Sequence, residues 1–259
     1  MKVVILCGGM GTRIREETEF RPKPMIEIGR RPILWHIMKI YSHFGHCDFI
    51  LCLGYKGEVI RKYFLDYHVM NSDVTLQLGR PQDIEIHSDH DALDWRVTLA
   101  DTGATSMTAW RIKQIQRFIG DDREFLMTYG DGVSDVNLGS LVEFHRGHGR
   151  IATVTGVHPS SRWGELVVDG CEVREFREKP QLNEGFINGG YFVLDRRVFD
   201  YLGDDPTVPF ERAPMARLTA DRQLMVYSHQ GYWQAMDTIR DMNLLNEEWN
   251  SPHPAWKVW

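Results

Sequence analysis

Strand and helix signals alternate from the start of the chain, a rhythm that predicts an α/β fold on a largely parallel sheet. Three observations carry the prediction. Val3-Val4-Ile5-Leu6 is an apolar, partly β-branched run that reads as a buried strand. After a glycine-rich loop, Pro32 opens a helix in which Ile33, Leu34, Ile37, Ile40, Tyr41 and Phe44 keep the 3.6-residue period. Phe49-Ile50-Leu51-Cys52-Leu53 then repeats the buried strand, which completes a βαβ unit.

The remaining elements follow in order. Gly45 ends the first helix, and Gly54-Tyr55-Lys56-Gly57 turns into a second that reaches about Tyr67. From Asp73 to Asp101 the rhythm breaks. Val74, Leu76 and Leu78, then Ile84 and Ile86, then Val97 and Leu99 alternate with polar residues, the pattern of antiparallel strands with one wet face. Asp101-Thr102-Gly103 turns the chain into helical spacing from Met107 to Ile119. Phe125-Leu126-Met127-Thr128-Tyr129 reads as a central strand stopped by Gly130-Asp131-Gly132. Leu138 to His148 is helical and Ile151 to Val157 a strand, while Leu166 to Val173 carries Asp169-Gly170, a two-residue hairpin turn. Tyr191 to Leu194 and Leu224 to Tyr227 are further strands; Phe210 to Ala220 and Ile239 to Trp249 are further helices. No repeat or linker interrupts the chain. A single domain over residues 1–259 is expected, with the insert at about 73–101 and the Trp-rich C-terminus as oligomer contacts.

Composition narrows the function classes. With 259 residues, 42% of them hydrophobic, the chain can bury a full core. A net charge of −6 argues against nucleic-acid and acidic-membrane partners but leaves room for a small anion in a locally cationic site. No apolar stretch approaches the roughly 20 residues of a membrane span. The short apolar run after Met1-Lys2 breaks into glycine and arginine without a cleavage pattern, so no signal peptide and a cytoplasmic location are expected. Cys7, Cys47, Cys52 and Cys171 show neither C-x-x-C nor metal-ligand spacing and read as reduced thiols, with a Cys47–Cys52 disulfide as the lesser alternative. His87-Ser88-Asp89-His90-Asp91 reads as a polar loop before it reads as a metal site.

The loop Cys7-Gly8-Gly9-Met10-Gly11-Thr12-Arg13 carries the chemistry. Glycines let backbone amides approach a ligand closely, and such a nest binds anions. Arg13 and Lys23, the latter in Arg21-Pro22-Lys23-Pro24, add two cations. A P-loop would end in Gly-Lys-Ser/Thr, whereas this loop ends in Gly11-Thr12-Arg13. The dinucleotide fingerprint G-x-G-x-x-G fails at Ile14, whose branched side chain would obstruct the helix–strand contact.

What fits is G-G-x-G-T-R followed by Pro-Lys-Pro, and with it the sequence resembles the sugar-1-phosphate nucleotidylyltransferases (nucleoside-diphosphate-sugar pyrophosphorylases). The resemblance continues in Tyr129-Gly130-Asp131-Gly132, Arg177-Glu178-Lys179-Pro180, Ile187-Asn188-Gly189-Gly190 and Trp233-Gln234-Ala235-Met236-Asp237-Thr238. Pro32-Ile33-Leu34-Trp35-His36-Ile37-Met38, Gly130-Asp131-Gly132-Val133-Ser134-Asp135 and Pro254-Ala255-Trp256-Lys257-Val258-Trp259 are similar to its cytidylyltransferase branch. The resemblance implies a Rossmann-like three-layer mixed sheet of nucleotide-diphospho-sugar transferase type with small antiparallel inserts. It implies CTP and glucose 1-phosphate as substrates, with UTP, dTTP or another sugar 1-phosphate as alternatives within the class, CDP-glucose and pyrophosphate as products, Mg²⁺ as cofactor, and a place in deoxysugar and surface-polysaccharide synthesis.

Such a reaction is an in-line attack of a sugar-phosphate oxygen on the α-phosphorus, so it needs alignment and charge neutralisation more than covalent catalysis. By resemblance, Leu6, Cys7, Gly8, Gly9, Met10, Gly11, Thr12 and Arg13 wrap the nucleotide, with Arg13 on its phosphates. Lys23 sits on the α-phosphate and the attacking oxygen. Lys179 grips the sugar phosphate; Glu178, Asn188 and Gly189 hold the sugar or ribose. Asp131 and Asp237 ligate the metal, while Ser106, Arg111 and Gly130 add nucleotide contacts. Plainer readings stand beside these. Asp131 fits a turn, Asp237 the cap of the last helix with Thr238, Glu178–Lys179 an ion pair, and Arg111 a helix-face charge. Trp35, Trp233 and Trp249 read as core or interface before sugar platforms.

Three places depart from the family pattern. Cys7 replaces an expected alanine and suggests sensitivity to oxidation; Ser160 to Glu165 differ near the sugar pocket; Ala235 replaces a proline beside Asp237. Two rivals differ in class. A nucleotide-sugar-dependent glycosyltransferase usually shows D-x-D, but Asp131 and Asp135 are four apart. A non-catalytic nucleotide-binding relative has no need of intact Lys23, Asp131 and Asp237.

Overall fold

The computed structural model describes residues 1–80, 83–89, 94–158, 165–169, 172–177 and 185–259. Seven strands build the central sheet: β1 (Lys2–Leu6), β2 (Asp48–Leu53), β3 (Arg96–Asp101), β4 (Glu124–Tyr129), β5 (Ala152–Val157), β6 (Ile187–Asp195) and β7 (Leu224–His229). Their spatial order is β7-β5-β6-β4-β1-β2-β3. β6 runs antiparallel to both neighbours, and every other pairing is parallel.

Alternation along β1 shows why the sheet needs cover on both faces. Val3 and Ile5 enter one apolar cluster, with α1 (Ile33–His43) and α4 (Ile239–Trp249) behind it. Val4 and Leu6 enter a second cluster, with α2 (Thr108–Gln114) behind it. β2 and β4 divide their side chains the same way, which gives the run-on hydrophobic sequence of strands buried on two faces. α3 (Leu138–His148), capped by the Asn137 side chain on the Ser140 N–H, packs on β5, β6 and β7.

Two pattern readings need correction. Residues 96–101 form a parallel edge strand, Phe49 opposite Val97 and Leu51 opposite Leu99, not a member of an antiparallel insert. An edge strand whose faces are unequally covered alternates apolar and polar residues like a half-wet hairpin, so the period alone could not separate the two. The insert's antiparallel part is the hairpin Ser72–Leu76 with Ile84–Asp89. The helical stretch after Met107 divides at Ile115 into Thr108–Gln114 and Gln116–Ile119. The strands Glu165–Asp169 and Glu172–Arg177 pair antiparallel, while Gly170 of their turn lies outside the described residues. Cys7, Cys47 and Cys52 are free thiols, and Cys171 lies outside the described residues. Among the described residues no helix is long and apolar enough to cross a membrane.

Two buried histidines make the fold acid-sensitive. His36 is fully buried in an aromatic nest of Trp35, Trp249, Trp256 and Trp259, its Nε2 at 2.9 Å from the Ile28 carbonyl. His145, also buried, bonds Thr153 through Nδ1 at 2.8 Å. Burial holds both near pKa 4, below their ordinary 6.5. Between those values the unfolded chain takes up protons that the folded chain refuses. Stability therefore falls as pH drops from 6.5 towards 4, by about 1 kcal/mol per pH unit for each histidine. Urea midpoints at pH 7 and pH 5 should differ accordingly, and a His145→Gln variant should flatten the slope; equal slopes would refute the assignment.

Candidate active site

β1, β2, β3 and β4 all point their carboxyl ends at one edge of the sheet, where ligands bind in open α/β folds. The loop leaving β1 lies there. Among the described residues, the N–H groups of Gly8, Gly9, Met10 and Gly11 make no backbone hydrogen bond. Gly11 adopts φ +61°, and the Thr18 hydroxyl fastens the turn by donating to the Gly11 and Ile14 carbonyls at 3.2 and 3.1 Å.

Arg111 lies beneath this loop. It is 3% exposed, so it is no helix-face charge. Its Nη1 donates to the carbonyls of Leu53 and Gly103 (3.0 and 2.9 Å) and the Thr102 hydroxyl (2.8 Å), and its Nη2 donates to the Gly8 carbonyl (3.0 Å). A Cβ on Gly8 would fall 2.1 Å from the guanidinium carbon, so glycine is what admits the arginine here.

Lys23 rises from a short 3₁₀ turn, Lys23–Met25, between Pro22 and Pro24. Its ammonium, on a side chain only 11% exposed, lies 2.6 Å from Asp131 Oδ2 and 2.7 Å from Asp237 Oδ1. Arg13, largely exposed, holds the other Asp237 oxygen at 2.8 Å. Burial alone would depress the Lys23 ammonium, but the two carboxylates outweigh it and raise its pKa. Burial likewise works to raise Asp237, yet Lys23 and Arg13 together hold it below the usual carboxylate range.

A two-stranded ladder brings the aspartates together across more than a hundred residues. Gly132–Ser134 pairs antiparallel with Trp233–Ala235, Gly132 opposite Ala235, so the residues just outside the pairing converge. Asp237 does not cap the last helix. Thr238 does so in a capping box with Asp241, which leaves the Asp237 carboxylate to the cations. Two convergent carboxylates beside a phosphate-sized cleft are the hard oxygen donors that a divalent cation takes. Among the described residues, no group of three His, Cys, Asp or Glu side chains forms a closed metal cage. A metal at this pair would therefore complete its shell with phosphate oxygens or water.

Two cavities meet at this edge. The first, about 300 Å³, is lined by Leu6, Cys7, Gly8, Gly9, Gly11, Thr12, Arg13, Lys23, Ser106, Arg111, Gly130 and Asp131, together with Pro24, Met107, Thr108, Tyr129 and Asp237. The second, about 220 Å³, shares Arg13, Tyr129, Asp131 and Asp237 and adds Thr128, Gly132, Asn188, Gly189, Tyr191, Trp233 and Ala235. The Met10 side chain, 58% exposed, lines neither. Glu178 and Lys179 lie outside the described residues, as do Ser160 to Gly164, His90 and Asp91.

Three features differ from the sequence reading. Cys7 is 1% exposed and burial raises its pKa, so it is a packed thiol and no oxidation sensor. Trp233 walls the second cavity, with its indole N–H on the Gly189 carbonyl at 2.7 Å, whereas Trp35 and Trp249 belong to the aromatic nest. Thr108, Tyr129 and Glu211 were given no role by the sequence, although Tyr129 directly precedes Gly130-Asp131.

Comparison with known proteins gives the chain its relatives. Residues 2–242 match the family described as nucleotidyl transferase. Glucose-1-phosphate cytidylyltransferase from Salmonella typhi is 46% identical over 260 residues, covering 100% of both chains, as is the namesake from Salmonella typhimurium. In fold, the crystal structure of HddC from Yersinia pseudotuberculosis is similar at TM-score 0.69 and 21% identity, covering 96% of this chain and 99% of that one.

Proposed function

Since the chain belongs to the nucleotidyl transferase family, we propose from its full-length likeness to glucose-1-phosphate cytidylyltransferases that it makes CDP-glucose and pyrophosphate from CTP and glucose 1-phosphate. On this chain the reading is carried by the meeting of Lys23, Asp131 and Asp237 where the two cavities join. One cavity takes the triphosphate, the other the sugar phosphate, and Lys23 lines the first while its ammonium pairs with Asp131 and Asp237, which line both.

The amides of residues 8–13 and the Arg13 guanidinium hold the triphosphate, with Ser106 and Gly130 on the wall of its cavity. The Lys23 ammonium faces the α-phosphate and the incoming oxygen, where charge grows in the transition state. Asn188 and Gly189 line the sugar side, and Glu178 and Lys179 are assigned the sugar phosphate by family resemblance. Enzymes of this family generally use a divalent metal. Mg²⁺, held by Asp131 and Asp237, would neutralise phosphate charge when bound. Arg13 and Lys23 align the phosphates and hold the leaving pyrophosphate's charge from their own side.

Incubating the protein with Mg²⁺, glucose 1-phosphate and each triphosphate separately, and following pyrophosphate, tests the reading. Release should be fastest with CTP; equal or faster release with UTP or dTTP sinks the base assignment.

The whole chain is read as one nucleotidyltransferase domain acting in the cytoplasm. A second copy is proposed to cover the apolar surface around the 72–89 hairpin, where Leu65, Met70, Leu76, Leu78, Ile84 and Ile86 are exposed. Light scattering should then give a multiple of 30.1 kDa, and a monomer mass would refute it.

A further inference from the structure

Four side chains outside the glycine loop form a one-way hydrogen-bond relay along the boundary of the two cavities. Tyr129, at the end of β4, lines both. Its hydroxyl donates to Glu211 Oε1 at 2.6 Å and accepts from Asn188 Nδ2 at 3.1 Å. Asn188 Oδ1 accepts from the Gly190 N–H at 2.8 Å, which fixes the amide's orientation. On the far side, Glu211 Oε2 accepts from the Thr108 hydroxyl at 2.7 Å, and Thr108 Oγ1 accepts from the Phe210 N–H at 2.7 Å. Thr108 walls the first cavity and Asn188 the second.

The chemistry of the groups dictates the direction. An ionised carboxylate only accepts, so both hydroxyls must point their protons at Glu211. The Tyr129 lone pairs are then left for Asn188, and the amide must present nitrogen to them. Its second N–H remains for whatever enters the sugar cavity.

We propose that Glu211 is a positioning residue for the sugar phosphate, setting the Asn188 amide through Tyr129 and tying it through Thr108 to the nucleotide wall. The proposal rests on the second cavity's being the sugar site, as read above. Only an acceptor of two protons serves at this position. In Glu211→Gln one of the two hydroxyls meets an NH₂ group, and its own proton loses the acceptor that fixed its direction. Chains of this kind polarise one another, and a mismatch at one end is felt along the relay.

The test is steady-state kinetics of the full chain with CTP and glucose 1-phosphate, on Glu211→Gln, Tyr129→Phe and the double variant. Glu211→Gln should raise KM for glucose 1-phosphate about tenfold while moving kcat less than threefold. Tyr129→Phe should do the same, and the double variant should be no worse than either single one. Far-ultraviolet circular dichroism and the urea midpoint check that each protein folds. An unchanged sugar KM in Glu211→Gln, a loss confined to kcat, or full additivity in the double variant would overturn the proposal. If the unmodified protein turns over no glucose 1-phosphate, the sugar-site reading itself fails, and that result is distinct from an active enzyme indifferent to Glu211.

Discussion

Lys23→Ala should lower pyrophosphate release by two to three orders of magnitude and leave the protein folded. About 10²–10³ in rate is what one preorganised group aimed at developing charge supplies. Lys23 is placed for that job before substrate arrives: its backbone is clamped between Pro22 and Pro24, and its ammonium is held at 2.6 and 2.7 Å by two carboxylates. The fold should survive because the aspartates keep 30% and 21% of their side chains in water and Arg13 remains on Asp237. Charge of the right sign is not sufficient. Lys23→Arg should restore little, since a rigid planar fork cannot put one nitrogen on both oxygens as an ammonium does.

A pH signature accompanies the loss. Asp237 is held low, so its pairing adds stability above the ordinary carboxylate pKa, and that stability disappears as pH falls through its depressed value. Without Lys23 its pKa should climb back, and the acid limb of the urea midpoint should flatten. Near-normal rates in Lys23→Ala would refute the assigned role. Slow turnover with an unchanged acid limb would separate catalysis from the ion pair.

The legible parts of this protein were those written as local pattern. Buried strands on either side of a glycine loop announced themselves because both faces of β1, β2 and β4 are covered. Lys23 stood out because two prolines isolate it. The parallel strand at 96–101 carries the pattern of a hairpin, since a sheet edge and a hairpin share the same period. Asp131 and Asp237 could be named from their strings, but a short ladder closed by Trp233–Ala235 on Gly132–Ser134 is what brings them together. Glu211 left no trace, because a carboxylate between helix and loop has no period. Its partners Thr108, Tyr129 and, through the tyrosine, Asn188 come from three other parts of the chain.

Arg111→Met should cost the fold about 1–3 kcal/mol and weaken CTP binding in the same variant. The guanidinium is a strut before it is a ligand. It joins the first turn after β1 (Gly8) to the ends of β2 (Leu53) and β3 (Thr102, Gly103). Burial lowers its pKa, and its bonds are made to carbonyls and a hydroxyl, so neutral dipoles satisfy the charge in place of a salt bridge. Methionine fills the space but leaves the Gly103 carbonyl without that donor, and it removes a cation from under the phosphate loop. Some acceptors retain other partners: Leu53 O also receives Thr102, and Gly8 O receives the Tyr55 N–H. The loss should therefore stop short of unfolding. Arg111→Lys should behave much like methionine, because one ammonium cannot span four acceptors fixed on three segments. The urea midpoint and the KM for CTP separate the readings. A nucleotide contact alone would raise KM with stability unchanged within about 0.5 kcal/mol, whereas a strut moves both together, and a normal midpoint would sink it.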